Sequence, residues 1–243
     1  MTHLLVIQHE PEAPAAWFGQ WWGEAGTGLS VCRGDLGEPI PQRLERGRHH
    51  GLVVLGGAMG ANDDADHPWL TATKRLIADT VHRGLPFLGI CLGHQLAAVA
   101  LGGSVAANPA GRTLGLYPVA LTELGHQDPL LYCCDGAPAL WFNDDIVTTP
   151  PEGAEVLAEA PDGTIQALRL GEAAWSVQFH PECSPEVFAG WGQEEPAGSP
   201  TRTAIAAVTP QAVAATDALV GVWRAFALRF AAMEAPADLP PTT

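Results

Sequence analysis

Short apolar runs bounded by Gly and Pro alternate along this chain with longer stretches of helical periodicity. That alternation is the pattern of a parallel sheet flanked by helices. Leu4–Gln8 is the first predicted strand, and Leu29–Arg33 reads as a weaker one. Gly51–Leu55 (GLVVL) is apolar at every position after its glycine, as strands buried on both faces are. Pro68–Arg83 is predicted as a helix that opens on proline and stops at Gly84. Pro86–Cys91 (PFLGIC) then gives a strand, and Leu92–Leu101 a helix ended by Gly102-Gly103.

The pattern changes after that point. Arg112–Leu121 alternates and contains a proline, which predicts an antiparallel edge rather than another central strand. Trp141-Phe142, Val156–Ala160, Ile165–Arg169 and Trp175–His180 follow as short strands between turn residues. Residues 1–193 are therefore expected to form one α/β domain. A Pro/Gly/Ser/Thr-rich surface loop is expected over 194–209. In 210–243, a helix over Pro210–Glu234 places Trp223, Phe226 and Phe230 on one side to pack on the domain, and its Pro-rich end frays. The cluster Trp17, Trp21, Trp22 is expected to pack a helix onto the sheet.

Composition narrows the function classes. With 243 residues and 47% hydrophobic residues, a single large core is affordable. A formal net charge of −15, with only 12 Lys and Arg, argues against nucleic-acid partners. No run approaches the ~18 apolar residues of a membrane span. The start, Met1-Thr2-His3-Leu4, lacks the marks of a signal peptide, so a cytoplasmic location is expected. Five cysteines without metal-finger spacing read as free thiols rather than a disulfide framework. The acidic loop Asp63, Asp64, Asp66 reads as solvated and His49-His50 as a surface turn, so neither metal nor cofactor is expected.

One cysteine stands apart. Gly89-Ile90-Cys91-Leu92-Gly93-His94-Gln95 lies between a predicted strand and a predicted helix. Glycines two residues either side of a nucleophile permit the tight, strained turn that lifts it to the C-terminal edge of a sheet. The following helix N-terminus favours a thiolate there. A lone free cysteine is usually a small buried hydrophobe, and Cys32, Cys133, Cys134 and Cys183 are read that way.

A thiol that attacks an amide needs a base to take its proton and return it to the leaving nitrogen. His180, in WSVQFHPE, ends an apolar run and is followed by Pro181, which keeps its backbone extended. In an extended segment Glu182 points the same way as His180 and would orient the ring. Gly56-Gly57-Ala58-Met59-Gly60 leaves a strand with free backbone N–H groups, so Gly57 and Leu92 are the expected oxyanion donors. This glycine loop lacks the spacings of nucleotide-binding loops.

In order, GGAMGANDD, GICLGHQ and HPE resemble the marks of the class I (triad) glutamine amidotransferase family over roughly residues 4–190. The stretch GGAMGANDDADHPWL is similar to the stand-alone GMP synthase-like branch of that family. The resemblance implies a flavodoxin-like, mostly parallel sheet with a small antiparallel extension. It implies glutamine hydrolysis through a γ-glutamyl thioester on Cys91, and substrate contact by Gln95. The chain departs from many such members at Phe142-Asn143-Asp144-Asp145, where they carry His before the Asp, and at Thr113-Leu114-Gly115, where an acidic residue often precedes the glycine. Those edges are where substrate choice is expected to be set. No S-G-G-x-D-S loop is present, so any synthetase that used the ammonia would be a separate chain. A stand-alone γ-glutamyl amide or peptide hydrolase needs the same residues and no partner. An inactive binding protein on this fold would not need an intact Cys-His-Glu set.

Overall fold

A computed structural model of the protein describes residues 2–45 and 47–233. The elements run β1 (His3–Gln8), α1 (Ala16–Glu24), β2 (Gly28–Arg33), β3 (Gly51–Val54), α2 (Trp69–His82), β4 (Phe87–Ile90) and α3 (Leu92–Ala100). A second group comprises β5 (Ser104–Ala107), β6 (Thr113–Pro118), α4 (Glu123–Gln127), β7 (Pro138–Asn143) and β8 (Asp145–Thr149). The chain continues through β9 (Glu155–Glu159), β10 (Ile165–Gly171), β11 (Ala174–Val177), α5 (Pro185–Glu194), α6 (Pro200–Ala214) and α7 (Thr216–Ala231).

Seven strands form the main sheet in the order β2-β1-β3-β4-β11-β10-β9. The first five are parallel, and β10 and β9 add antiparallel. Leaving out the segment inserted between β4 and β11, this is the 2-1-3-4-5 order of flavodoxin-like sheets. The α/β class and mostly parallel sheet are as the sequence implies. The predicted antiparallel edge is real, but it pairs as a separate β6–β7 ribbon rather than with the main sheet.

Strand periodicity sets the two faces of the core. Leu4 and Val6 of β1 join Val53, Leu88 and Ile90 under α1 and α7, while Leu5 and Ile7 join Leu52, Val54 and Phe87 under α2 and α3. The tryptophan cluster packs as expected. Phe18 lies 5.9 Å from Phe226 and Trp22 6.3 Å from Phe230, and Trp22 Nε1 donates to the Ala227 carbonyl at 2.9 Å.

The expected loop over 194–209 is corrected. Residues Pro200–Ala214 form α6, capped by Ser199, whose side chain accepts from the Arg202 N–H, with Pro200 in the first turn. Bulk Pro/Ala/Ser/Thr content suggests a loop, but Ser-Pro at this place is a helix start. Pro210 lies inside α6, and the helix proper to the Trp223 face begins at Thr216, after a 78° bend. His49 is also corrected, being buried rather than on a surface turn. The Pro-rich tail expected to fray lies outside the described residues. Among the described residues no single helix is long and apolar enough to cross a membrane.

Trp22→Ala should cost about 3–5 kcal/mol, because it empties the α1–α7 contact and leaves the Ala227 carbonyl without its donor. Chemical denaturation followed by fluorescence measures this, and a loss below about 1 kcal/mol would refute the role assigned to that contact.

Candidate active site

Cys91, Gly57 and His180 follow the C-terminal ends of β4, β3 and β11, three neighbouring parallel strands. Ligands of open α/β sheets bind at that edge. The register brings the three together: Val54 pairs with Gly89, and Ile90 with Val177. The Cys91 N–H then donates to the Val177 carbonyl at 2.8 Å.

The turn at Cys91 is as tight as its glycines suggest. Its φ of 52° lies in the left-handed region, which costs a non-glycine residue of order 1–3 kcal/mol. A Cβ on Gly93 would stand 2.1 Å from the Val54 carbonyl oxygen, and one on Gly89 2.6 Å from the Gly93 oxygen. Only glycine lets α3 press this closely on β3. Helix α3 begins at Leu92, directly after the sulfur.

His180 is buried and its Nδ1 lies 2.9 Å from Glu182 Oε1. The route to this contact differs from strand alternation. Strand β11 ends at Val177, and His180 makes an isolated bridge to Leu140 before the chain turns through Pro181 and Glu182. Glu182 therefore reaches back across a turn rather than along a strand, and its backbone carbonyl is held by the Trp17 N–H at 3.0 Å. Burial opposes a charge on His180. Its neighbours Cys91 and Glu182, the latter hydrogen-bonded to the ring, outweigh burial and hold the imidazole pKa well above its ordinary value.

Gly57 and Leu92 are neighbours, since a Cβ on Gly57 would lie 3.1 Å from Leu92 Cδ2. Among the described residues neither N–H donates a hydrogen bond. The next N–H, of Ala58, is taken by Glu10 at 3.1 Å. Gln95 Nε2 donates to the Asp145 carbonyl at 3.0 Å and to Gln178 Oε1 at 3.2 Å.

All but three of these groups open on one cavity of about 570 Å³, which Cys91, His180, Gly57 and Gln95 line. Glu182, Leu92 and Gln178 stand behind it. Of the two departures noted in the sequence, Phe142, Asn143, Asp144 and Asp145 are part of its wall, while Thr113-Leu114-Gly115 does not line it. Sequence reasoning does not reach Trp191, whose ring meets His180 edge-on at 4.8 Å. Nor does it reach Arg112, which pairs with Asp144 at 2.6 Å, or the lining residue Glu10. No spacing in the sequence announces these; α5, the start of β6 and the loop after β1 deliver them. Asp64 pairs with Lys74 at 2.6 Å, and Asp63 accepts from the Gly60 N–H, so the acidic loop is structural. Among the described residues no group of three or more His, Cys, Asp or Glu is arranged to hold a metal ion.

The profile of the family described as "Glutamine amidotransferase class-I" matches residues 28–190, more than half of the chain. The chain belongs to the class I glutamine amidotransferase family. A glutamine amidotransferase-like protein of Salmonella typhimurium, YfeJ, is 31% identical over 195 residues, 78% of each chain. A glutamine-hydrolyzing GMP synthase of Thermus thermophilus is 37% identical over 147 residues, which is 59% of this chain but 26% of that protein. This amidotransferase-family chain thus corresponds to about a quarter of the GMP synthase. A solved glutamine amidotransferase of Thermotoga maritima superposes with a TM-score of 0.85 at 22% identity, covering 96% of this chain and 99% of the other. One from Methylobacillus flagellatus gives 0.81 at 23%, covering 95% and 94%. These two likenesses show the fold.

Cys91→Gly should be more stable than Cys91→Ala by about 1 kcal/mol, since glycine relieves the positive φ that alanine must keep. Denaturant titration of both variants decides it, and equal stabilities would remove the strain from the turn. Glu182→Gln should lower the His180 pKa, read by NMR titration of the ring nitrogens. The native folded value stands above the unfolded one of about 6.5. The stability it contributes is therefore complete below that pH and lost as pH rises through the folded value. An unchanged His180 titration in the variant would contradict the pairing.

Proposed function

We propose that this chain hydrolyses the side-chain amide of glutamine through a γ-glutamyl thioester on Cys91, releasing ammonia. The observation that carries this reading is that Cys91 on its strained turn, His180 and Gly57 line one cavity, with Glu182 bonded to His180 and the Leu92 side chain beside Gly57. Cys91 is the nucleophile. His180 in its imidazolium form supplies the proton to the leaving nitrogen, then takes one from the water that opens the thioester. Glu182 fixes the ring, leaving Nε2 for the chemistry. The N–H groups of Gly57 and Leu92 receive the charge that develops on the amide oxygen, and Gln95 contacts the glutamyl part. The GMP synthase relatives pair this domain with further chain, so a separate synthetase is one destination for the ammonia. A stand-alone γ-glutamyl amide hydrolase is the second reading. It is favoured by the like span of the YfeJ match on both chains and by a cavity larger than glutamine requires.

Cys91→Ala should lower glutamine hydrolysis by at least about 10³-fold, while Cys32→Ala leaves it within about twofold. A coupled assay of glutamate formation reads both. Equal activity in the two variants would sink the assignment of the nucleophile.

A further inference from the structure

Two segments outside the part of the chain that matches the family line the cavity that holds Cys91, and both bring carboxylates. Glu10 and Glu12 follow β1, Glu194 and Glu195 lie at the end of α5, and all four line the cavity, while the family match runs only from 28 to 190. The two segments are tied together, since Trp191 Nε1 donates to the Glu12 carbonyl at 2.8 Å. Asp63 and Asp145 add charge from within the matched part. Among the described residues lining the cavity, Arg112 is the one permanent cation. It is already committed to Asp144 at 2.6 Å and Glu195 at 3.6 Å.

The negative charge is therefore uncompensated. Burial raises the Glu10 pKa against the Ala58 hydrogen bond, with Glu12 and Asp35 adding to the rise. Burial also raises Asp145, with Asp144 and Asp63 adding. A separate observation points the same way. Asn143 is 6% exposed, lines the cavity, and has an Oδ1 without a donor, while its Nδ2 is spent on the Asp145 carbonyl at 3.0 Å. An acceptor without a donor beside surplus carboxylates calls for a ligand rich in N–H groups.

Size agrees. At roughly 30 Å³ for each water-sized group, the cavity takes about twenty of them, close to double a glutamine. Glutamine is a zwitterion with no net charge, and departing ammonia fills little space. Neither uses this charge or this volume.

We propose that the preferred amide is the γ-glutamyl monoamide of an aliphatic diamine or polyamine, with the distal ammonium of the leaving amine held among Glu10, Glu12, Glu194 and Glu195. This rests on the thioester reading of the same site. The Cys91 sulfur bonds to the γ-carbonyl carbon, the C–N bond breaks, and the amine nitrogen departs with the proton from His180. Water then adds to the thioester carbon, His180 takes its proton, and the C–S bond breaks. One amide and one water give glutamate and free diamine, with no oxidant or cofactor.

The full-length chain is assayed on four compounds: glutamine, the γ-glutamyl conjugate of 1,4-diaminobutane, γ-glutamyl butylamide, and γ-glutamyl 4-aminobutyrate. The cationic conjugate should exceed the neutral one in kcat/KM by at least about tenfold and the anionic one by more, with the margin narrowing in salt. The double variant Glu194→Gln, Glu195→Gln should reduce the cationic-to-neutral ratio by at least about fivefold. Equal turnover of cationic and neutral conjugates overturns the proposal, as does an unmoved ratio in the double variant. Labelling of Cys91 by a chloroketone analogue of glutamine, read by mass, tests the thioester reading separately. An adduct without charge preference overturns only the amine assignment; no adduct and no turnover overturn both.

Discussion

The close approach of α3 to β3 at Gly93 is the contact on which the site depends. A methyl group there would sit inside the Val54 carbonyl, so the helix would have to withdraw, and with it the turn that carries Cys91. The same approach lets the Gly93 N–H donate to the Leu55 carbonyl at 3.2 Å, fixing the helix start against the strand exit. From that junction the sulfur, the Leu92 N–H and the Gly57 N–H inherit their relative positions. The strain at Cys91 is held by these surrounding bonds.

Around the elbow the protein arranges buried histidines in opposite ways. His94, in the first turn of α3, is pushed down to about 3 by burial and kept neutral, with Nδ1 2.8 Å from Ser176 Oγ. His9, beside Gly57, is likewise held down at about 4, chiefly by burial. His180 is as deeply buried, yet the sulfur and carboxylate beside it reverse the outcome. Burial alone therefore does not decide which imidazole carries charge; the presence of anionic partners does. That contrast sets His180 apart from His9 and His94, whose rings burial keeps neutral.

The helices that complete the cavity are held at a distance from it. Aromatic contacts between α1 and α7 close one face of the sheet, and α5 with α6 packs Phe188 and Ile205 over Leu140 of β7. Through that packing Trp191 reaches His180 and the α5 end faces the loop after β1. The sheet edge supplies Cys91, Gly57 and His180, and the added segments supply further walls of the cavity they line.

Much of this was legible in the sequence because its causes are local. Buried parallel strands must be apolar throughout, a strained turn must have glycine at fixed offsets, and a proline after His180 marks the chain's exit from the sheet. Those constraints are written in GLVVL, GICLG and HPE. Bulk composition misled where a local signal was stronger, as at Ser199-Pro200, which starts a helix in a segment that otherwise resembles a loop. The sequence by itself determined the sheet, the elbow and the pairing of His180 with Glu182. Only the tertiary structure decided that Glu182 arrives by a turn, that Trp191 packs edge-on against His180, and that Glu10, Glu12, Glu194 and Glu195 line one cavity with the sulfur. Those contacts join residues far apart in the chain, such as Glu12 and Trp191, and no periodicity or spacing encodes a meeting that depends on how whole helices pack.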